Sequence, residues 1–177
     1  LKGTNRSVQR FKRYPIGFFH LDIAEVQTAE GKQHFFVAID RTSKFALVQL
    51  AEKANRRTAR EFLEHLLRVV PNPIHPILTD NGILFAEQPR NRGMAWSRSM
   101  LFDMISETNG IEHRLTKPNR PWTNGQVERT CRTIKEATVK HFHYGSHELL
   151  RTHLNDFIVA YNFGRRLKTL KGLTPYE

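Results

Sequence analysis

The chain has 177 residues, enough for one domain with a substantial core, and 28 Lys and Arg against 17 Asp and Glu give it a formal net charge of +11. That excess points to a polyanionic partner. A single cysteine, Cys131, excludes a disulfide framework and a multi-cysteine zinc site, and the nine histidines lack the i,i+4 helical pairing of a metalloprotease. No signal-peptide pattern and no apolar run long enough to cross a bilayer is present, so no membrane partner is expected and the expected location is cytoplasmic, at the nucleoid. Leu1 in place of a methionine is expected of a piece of a longer protein.

Residues 1–15 carry Lys2, Arg6, Arg10, Lys12 and Arg13 and no acid, a basic arm or linker before a domain over residues 16–177. Gly17 to Val26, GFFHLDIAEV, reads as a central strand covered on both faces, with Asp22 in its middle. An acid there must be paired or serve a purpose, because burying an uncompensated carboxylate is costly. Two further strands follow, His34 to Ile39 and Lys44 to Leu50, separated by turns at Ala29-Glu30-Gly31 and Asp40-Arg41-Thr42-Ser43. Together they predict an antiparallel meander.

Asn55 is a good N-cap for a helix in which Phe62, Leu63, Leu66, Leu67 and Val70 recur at helical spacing up to Pro71. The strand Ile74 to Thr79 then ends at Asp80-Asn81-Gly82. Reached through a helix, it is expected parallel to the first strand and beside it. Residues 83–99 read as a loop rich in arginine. A short helix over Met100 to Thr108, closed by Asn109-Gly110, leads to a last strand over Ile111 to Thr116.

The stretch Lys117 to Lys140 reads as a loop, a turn and a helix, with Thr123 and Gln126 as a capping box. Val127, Cys131, Ile134 and Thr138 would face a core, while Glu128, Arg132 and Lys135 share a neighbouring face. A final helix opens at Ser146 or His147, buries Leu150, Leu154, Phe157, Ile158 and Tyr161, and stops at Gly164 before a basic tail. The order predicts an α/β fold: a five-stranded mixed sheet, three strands antiparallel and two parallel, with helices on both faces.

Taken singly, each prominent acid has a structural explanation. Asp22 can be a hydrogen-bonded buried acid, Asp80 an Asx-turn residue, and Glu128 the i,i+4 partner of Arg132. Taken together, they are expected to converge at one edge of the sheet, where open α/β sheets place their sites. Three carboxylates brought together repel, and oxygen ligands of this kind suit Mg²⁺ or Mn²⁺. Asp40 reads as a turn residue and Glu25 as a solvent-facing strand end. Glu87, Asp103 and Glu112 are rivals for the third acid only if residues 83–99 reshape the site. His20 and His113 read as structural, Cys131 as an inert core residue, and Trp96 and Trp122 as packed loop aromatics with base stacking as the alternative.

The strings HLDIAE at Asp22, LTDNG at Asp80 and PNRPWTNGQVERT at Glu128 resemble the three signature blocks of the retroviral-type integrase catalytic core. They are most similar to those of DDE transposases of bacterial insertion sequences, which have an RNase H-like fold. The resemblance runs from about Gly17 to the end and includes AIDRTSKFALV and LKGLTPYE. It implies that Asp22, Asp80 and Glu128 are the catalytic metal ligands, holding two Mg²⁺ or Mn²⁺ ions in the active complex. It also implies that Arg132 and Lys135 touch the DNA end, with Asn124, Arg129, Lys117 and Arg120 joining the DNA-contacting set. The implied activity is metal-dependent DNA 3′-end cleavage and strand transfer in transposition, by a homodimer or higher oligomer. The alternatives are an RNase H-like nuclease that does not join ends, and an inactive DNA-binding core. Two departures stand out: the interval between Asp80 and Glu128 is long, and Ile83-Leu84-Phe85 replaces the usual acidic or polar residue followed by an aromatic.

Overall fold

The computed structural model describes residues 14–80, 84–85, 101–116 and 125–177, without the side chains of residues 101, 102 and 104. Five strands, β1 (Phe19–Thr28), β2 (Gly31–Asp40), β3 (Ala46–Ala51), β4 (Pro76–Thr79) and β5 (Glu112–Leu115), form one sheet in the order β3-β2-β1-β4-β5. The pairs β1–β2 and β2–β3 are antiparallel and β1–β4 and β4–β5 parallel, as the meander and the helical crossover require. The helices are α1 (Arg56–Val69), α2 (Leu101–Thr108), α3 (Gly125–Ala137) and α4 (His147–Val159).

Strand alternation divides the core into two layers. Phe19 and Leu21 of β1 and Phe36 and Ala38 of β2 pack with Phe62, Leu63 and Leu66 of α1. On the other face, Val26, Phe35, Val37 and Ile39 meet Val127, Cys131 and Ile134 of α3 and Leu150 and Leu154 of α4. Asp22 therefore falls on the α3 side, one residue after Leu21 on the α1 side. Helix α1 starts at a complete capping box, in which the Asn55 side chain accepts from the Thr58 N–H and the Thr58 hydroxyl from the Asn55 N–H.

Some boundaries depart from the expectation. Strand β1 starts at Phe19, because Gly17 takes φ +104°, and a Cβ there would stand 2.3 Å from the Pro73 carbonyl oxygen. Strand β4 begins at Pro76, since a proline nitrogen cannot donate to the ladder and serves best as a first residue. The last helix stops at Val159 and widens into a π turn over Ala160–Gly164. Within that turn, buried Asn162 donates to the Ala46 carbonyl at 2.8 Å and accepts from the Ala46 N–H at 2.9 Å, satisfying groups of edge strand β3. Asn162→Ala is expected to cost about 2 kcal/mol, read from the urea midpoint; an unshifted midpoint would show that water replaces both bonds.

Candidate active site

Strands β1 and β4 pair only at Phe19↔Ile77 and His20↔Leu78. Asp22 and Asp80 each lie two residues beyond the last paired couple, where the parallel strands part. This crevice at the carboxyl ends of parallel strands is where open α/β sheets place their sites. Asp22 is half-buried, its Oδ1 accepts the Ile23 N–H at 2.9 Å, and the Cys131 thiol approaches its Oδ2 at 3.8 Å.

Helix α3, which packs on β1 and β2, carries the third acid. Val127, Cys131 and Ile134 are buried against the sheet, which leaves Glu128 exposed in the first turn. The Gln126 amide donates to the carbonyls of Asp40 and Arg41 at 3.3 Å, tying the start of α3 to the end of β2. Thr123, the other half of the expected capping box, lies outside the described residues, as do Asn124, Lys117, Arg120, Glu87, Trp96 and Trp122.

The Asp22 carboxyl is pushed above its ordinary value, first by burial and then by the negative charges of Asp80 and Glu128, against the opposing Ile23 N–H and Cys131 thiol. Asp22 is thus within electrostatic reach of both other acids named from the sequence. They do not stand as a ready-made ion cage: among the described residues no three His, Cys, Asp or Glu groups are placed to clasp one ion. Burial, followed by the charge of Asp22, pushes the Cys131 thiol up, so it remains a protonated donor.

No ion pair joins Glu128 to Arg132 among the described residues, so the structural explanation for Glu128 finds no support. Arg129 and Arg132 are exposed, and the Lys135 ammonium lies 5.7 Å from the Phe35 ring centroid. Arg129 also lines a cleft of about 1690 Å³ with Arg41, Lys44 and Arg165. These last three were not singled out from the sequence, although Arg41 and Lys44 sit in the quoted AIDRTSKFALV string. Arg41 lies over Tyr14 at 4.5 Å and Arg165 over Tyr161 at 5.9 Å. The rivals for the third acid are engaged elsewhere: Glu112 binds Arg114 at 2.6 and 2.7 Å, and Asp103 meets His113. Asp40 and Glu25 have the places expected of them, in the turn and facing solvent beside Lys32.

The sheet order and the helix layers define an RNase H-like fold in the form of integrase catalytic cores. Against a chain of the simian T-cell lymphotropic virus intasome the TM-score is 0.75 at 21% identity, over 94% of this chain and 55% of that one. Against the HTLV-2 integrase catalytic core domain, solved in complex with magnesium, it is 0.69 at 19% identity, over 92% and 95%. Residues 109–175 match the model of the integrase core domain family. In sequence, the chain is 24% identical over its whole length to ORF3 of Spiroplasma virus SpV1-C74, an integrase by name. It is 26% identical over 88% of its length to the Transposon Tf2-3 polyprotein of Schizosaccharomyces pombe. It spans 51% of the first relative and 11% of the second. The resemblance to integrase cores stated from the motifs is borne out.

Proposed function

We propose that this chain is the catalytic core of a DDE-type transposase or integrase, a polynucleotidyl transferase that cuts DNA at a 3′ end and joins that end to a target. What supports the reading is the position of Asp22 and Asp80 where β1 and β4 part, together with an Asp22 carboxyl raised by burial and then by the negative charges of Asp80 and Glu128. The donor set is oxygen only, which fits Mg²⁺ or Mn²⁺ and disfavours softer metals. Asp22, Asp80 and Glu128 would hold two such ions, which supply Lewis-acid polarisation of a phosphodiester and charge for the attacking and leaving oxygens.

The chain's own groups do the rest. The Ile23 N–H and the Cys131 thiol orient the Asp22 carboxylate. Glu128 faces solvent in the first turn of α3, where a DNA strand has access, and Arg132 and Lys135 follow it as cations for the phosphates. No side chain of this set is placed as a nucleophile, so no covalent protein–DNA intermediate is expected. Assembly as a homodimer or higher oligomer belongs to the same reading.

The test uses short duplexes with randomised ends and free 3′-hydroxyls, incubated with plasmid DNA and Mn²⁺. Joined products that depend on the metal are expected. Cleavage of an RNA–DNA hybrid without joining would favour the nuclease alternative, and absence of any metal-dependent chemistry would leave a DNA-binding core. Arg132→Ala and Lys135→Ala should each reduce the slope of log affinity against log salt by about 1. A slope equal to that of the parent would remove the residue from the interface.

A further inference from the structure

Strand β4 has four residues and loses its partner β1 after Leu78, so the ladder on that side does not reach Asp80. On its other side β5 holds β4 as far as the Thr79 carbonyl, which accepts from the Thr116 N–H at 2.9 Å. A chain of side chains on the face opposite Asp22 adds a hold that reaches the Asp80 carbonyl. His113 of β5 pairs in register with Ile77, and its Nε2 lies 2.8 Å from the hydroxyl of Thr79, two residues further along β4. The His113 Nδ1 lies 2.5 Å from Oδ1 of Asp103, in the first turn of α2. The Thr79 hydroxyl is also 3.0 Å from the carbonyl oxygen of Asp80. Thr79 is fully buried and the His113 side chain nearly so, at 8% exposed.

The hydrogen-bonding roles follow from the groups. An ionised Asp103 only accepts, so it draws the imidazole proton to Nδ1 and fixes the ring. The Thr79 hydroxyl, between Nε2 and the Asp80 carbonyl, is then held by a ring that cannot rotate. Its one proton goes to the Asp80 carbonyl and its oxygen accepts from the ring Nε2–H while Nδ1–H donates to Asp103, so the chain is complete in the ring that carries both protons. Because Asp103 lies on α2, which packs with α1, the chain grips β4 from the face opposite Asp22.

We propose that Asp103, His113 and Thr79 form a positioning chain that fixes the backbone at Asp80 and so sets that acid for ion binding. None of the three touches DNA or ion; they act through Asp80. The proposal rests on Asp80 being a metal ligand, and partners of this outer kind typically change metal affinity by about 10–100-fold when removed.

The test compares the parent with Thr79→Val, which keeps the shape and removes the hydroxyl, with Thr79→Ser, which restores it, and with Asp80→Asn. Two quantities are measured: the ¹⁵N order parameter of the Asp80 amide without metal, and Mn²⁺ affinity by calorimetry. Thr79→Val is expected to lower the order parameter and weaken Mn²⁺ by about tenfold, with both restored in Thr79→Ser. An Asp80 amide as ordered in Thr79→Val as in the parent overturns the chain. So does Mn²⁺ affinity that survives Thr79→Val but is lost in Asp80→Asn. If Thr79→Val loosens Asp80 while neither it nor Asp80→Asn alters Mn²⁺ binding, the chain stands and the metal-ligand reading of Asp80 fails. Should Thr79→Val not fold, Asp103→Ala breaks the same chain at its half-exposed end and is judged by the same two quantities.

Discussion

Asp22→Asn is expected to yield a protein that melts higher than the parent at neutral pH and has lost its DNA chemistry. Burial and two neighbouring negative charges raise the Asp22 carboxyl, so the fold favours its neutral form. The stability this gives is fully present below the unfolded value of 3.8 and is lost as pH rises through the folded value. At neutral pH the ionised group therefore weakens the fold, and a neutral isostere relieves it by about 1 kcal/mol, or about 2–4 °C in Tm for a chain of this size. The difference between the two proteins should shrink toward acid pH, where both carry a neutral group. Mn²⁺ should raise the Tm of the parent and not that of the variant, because only the parent gains a ligand that binds the native state. Strand transfer should fall by about 10³-fold or more, the scale on which one member of a catalytic unit is felt. Asp80→Asn and Glu128→Gln should lose activity to the same degree. Parent-level joining by any of the three, or a lower Tm for Asp22→Asn at pH 7.5, would contradict the assignment of an acid held against its own stability for a functional purpose.

Much of this site was legible in the chain because the relevant signals are local. Alternation through FFHLDIAEV puts Leu21 and Asp22 on opposite faces of β1, and the crossover through α1 puts the Asp80 strand parallel to it. The spacing of Val127, Cys131 and Ile134 leaves Glu128 on the outer face of α3. What was not legible depends on contacts between elements far apart in sequence. His113 and Asp103 are ten residues apart on different elements and meet only when α2 packs behind β5. The π turn at Ala160–Gly164 carries no propensity signal, because it is set by Asn162 reaching Ala46. Gly17 and Phe18 continued an apolar run and so read as strand, while the positive φ of Gly17 is dictated by the close approach of Pro73.

Asp40→Ala is expected to do the opposite of Asp22→Asn. A turn acid need not be buried, and Asp40 is wholly so. Its Oδ1 accepts from the N–H of Thr42 at 2.8 Å, the N–H of Ser43 at 2.6 Å and the Ser43 hydroxyl at 3.0 Å, and its Oδ2 from the N–H of Gly17 at 2.7 Å. The entry to β1, the β2–β3 turn and, through Gln126, the start of α3 are thus joined at one residue. Removing the carboxylate strands buried donors, and a loss of about 3 kcal/mol is expected, read from urea unfolding. Asp40→Asn keeps an oxygen for Thr42 and Ser43 but turns an NH₂ toward the Gly17 N–H, so it should cost about 1–2 kcal/mol. Equal losses in the two variants would mean that the Oδ1 bonds contribute nothing, and the account of the turn would fall. An acid whose removal destabilises is one that the fold has supplied with donors. An acid whose removal stabilises has been left short of them, and at the crevice between β1 and β4 a bound cation is what would make up the difference.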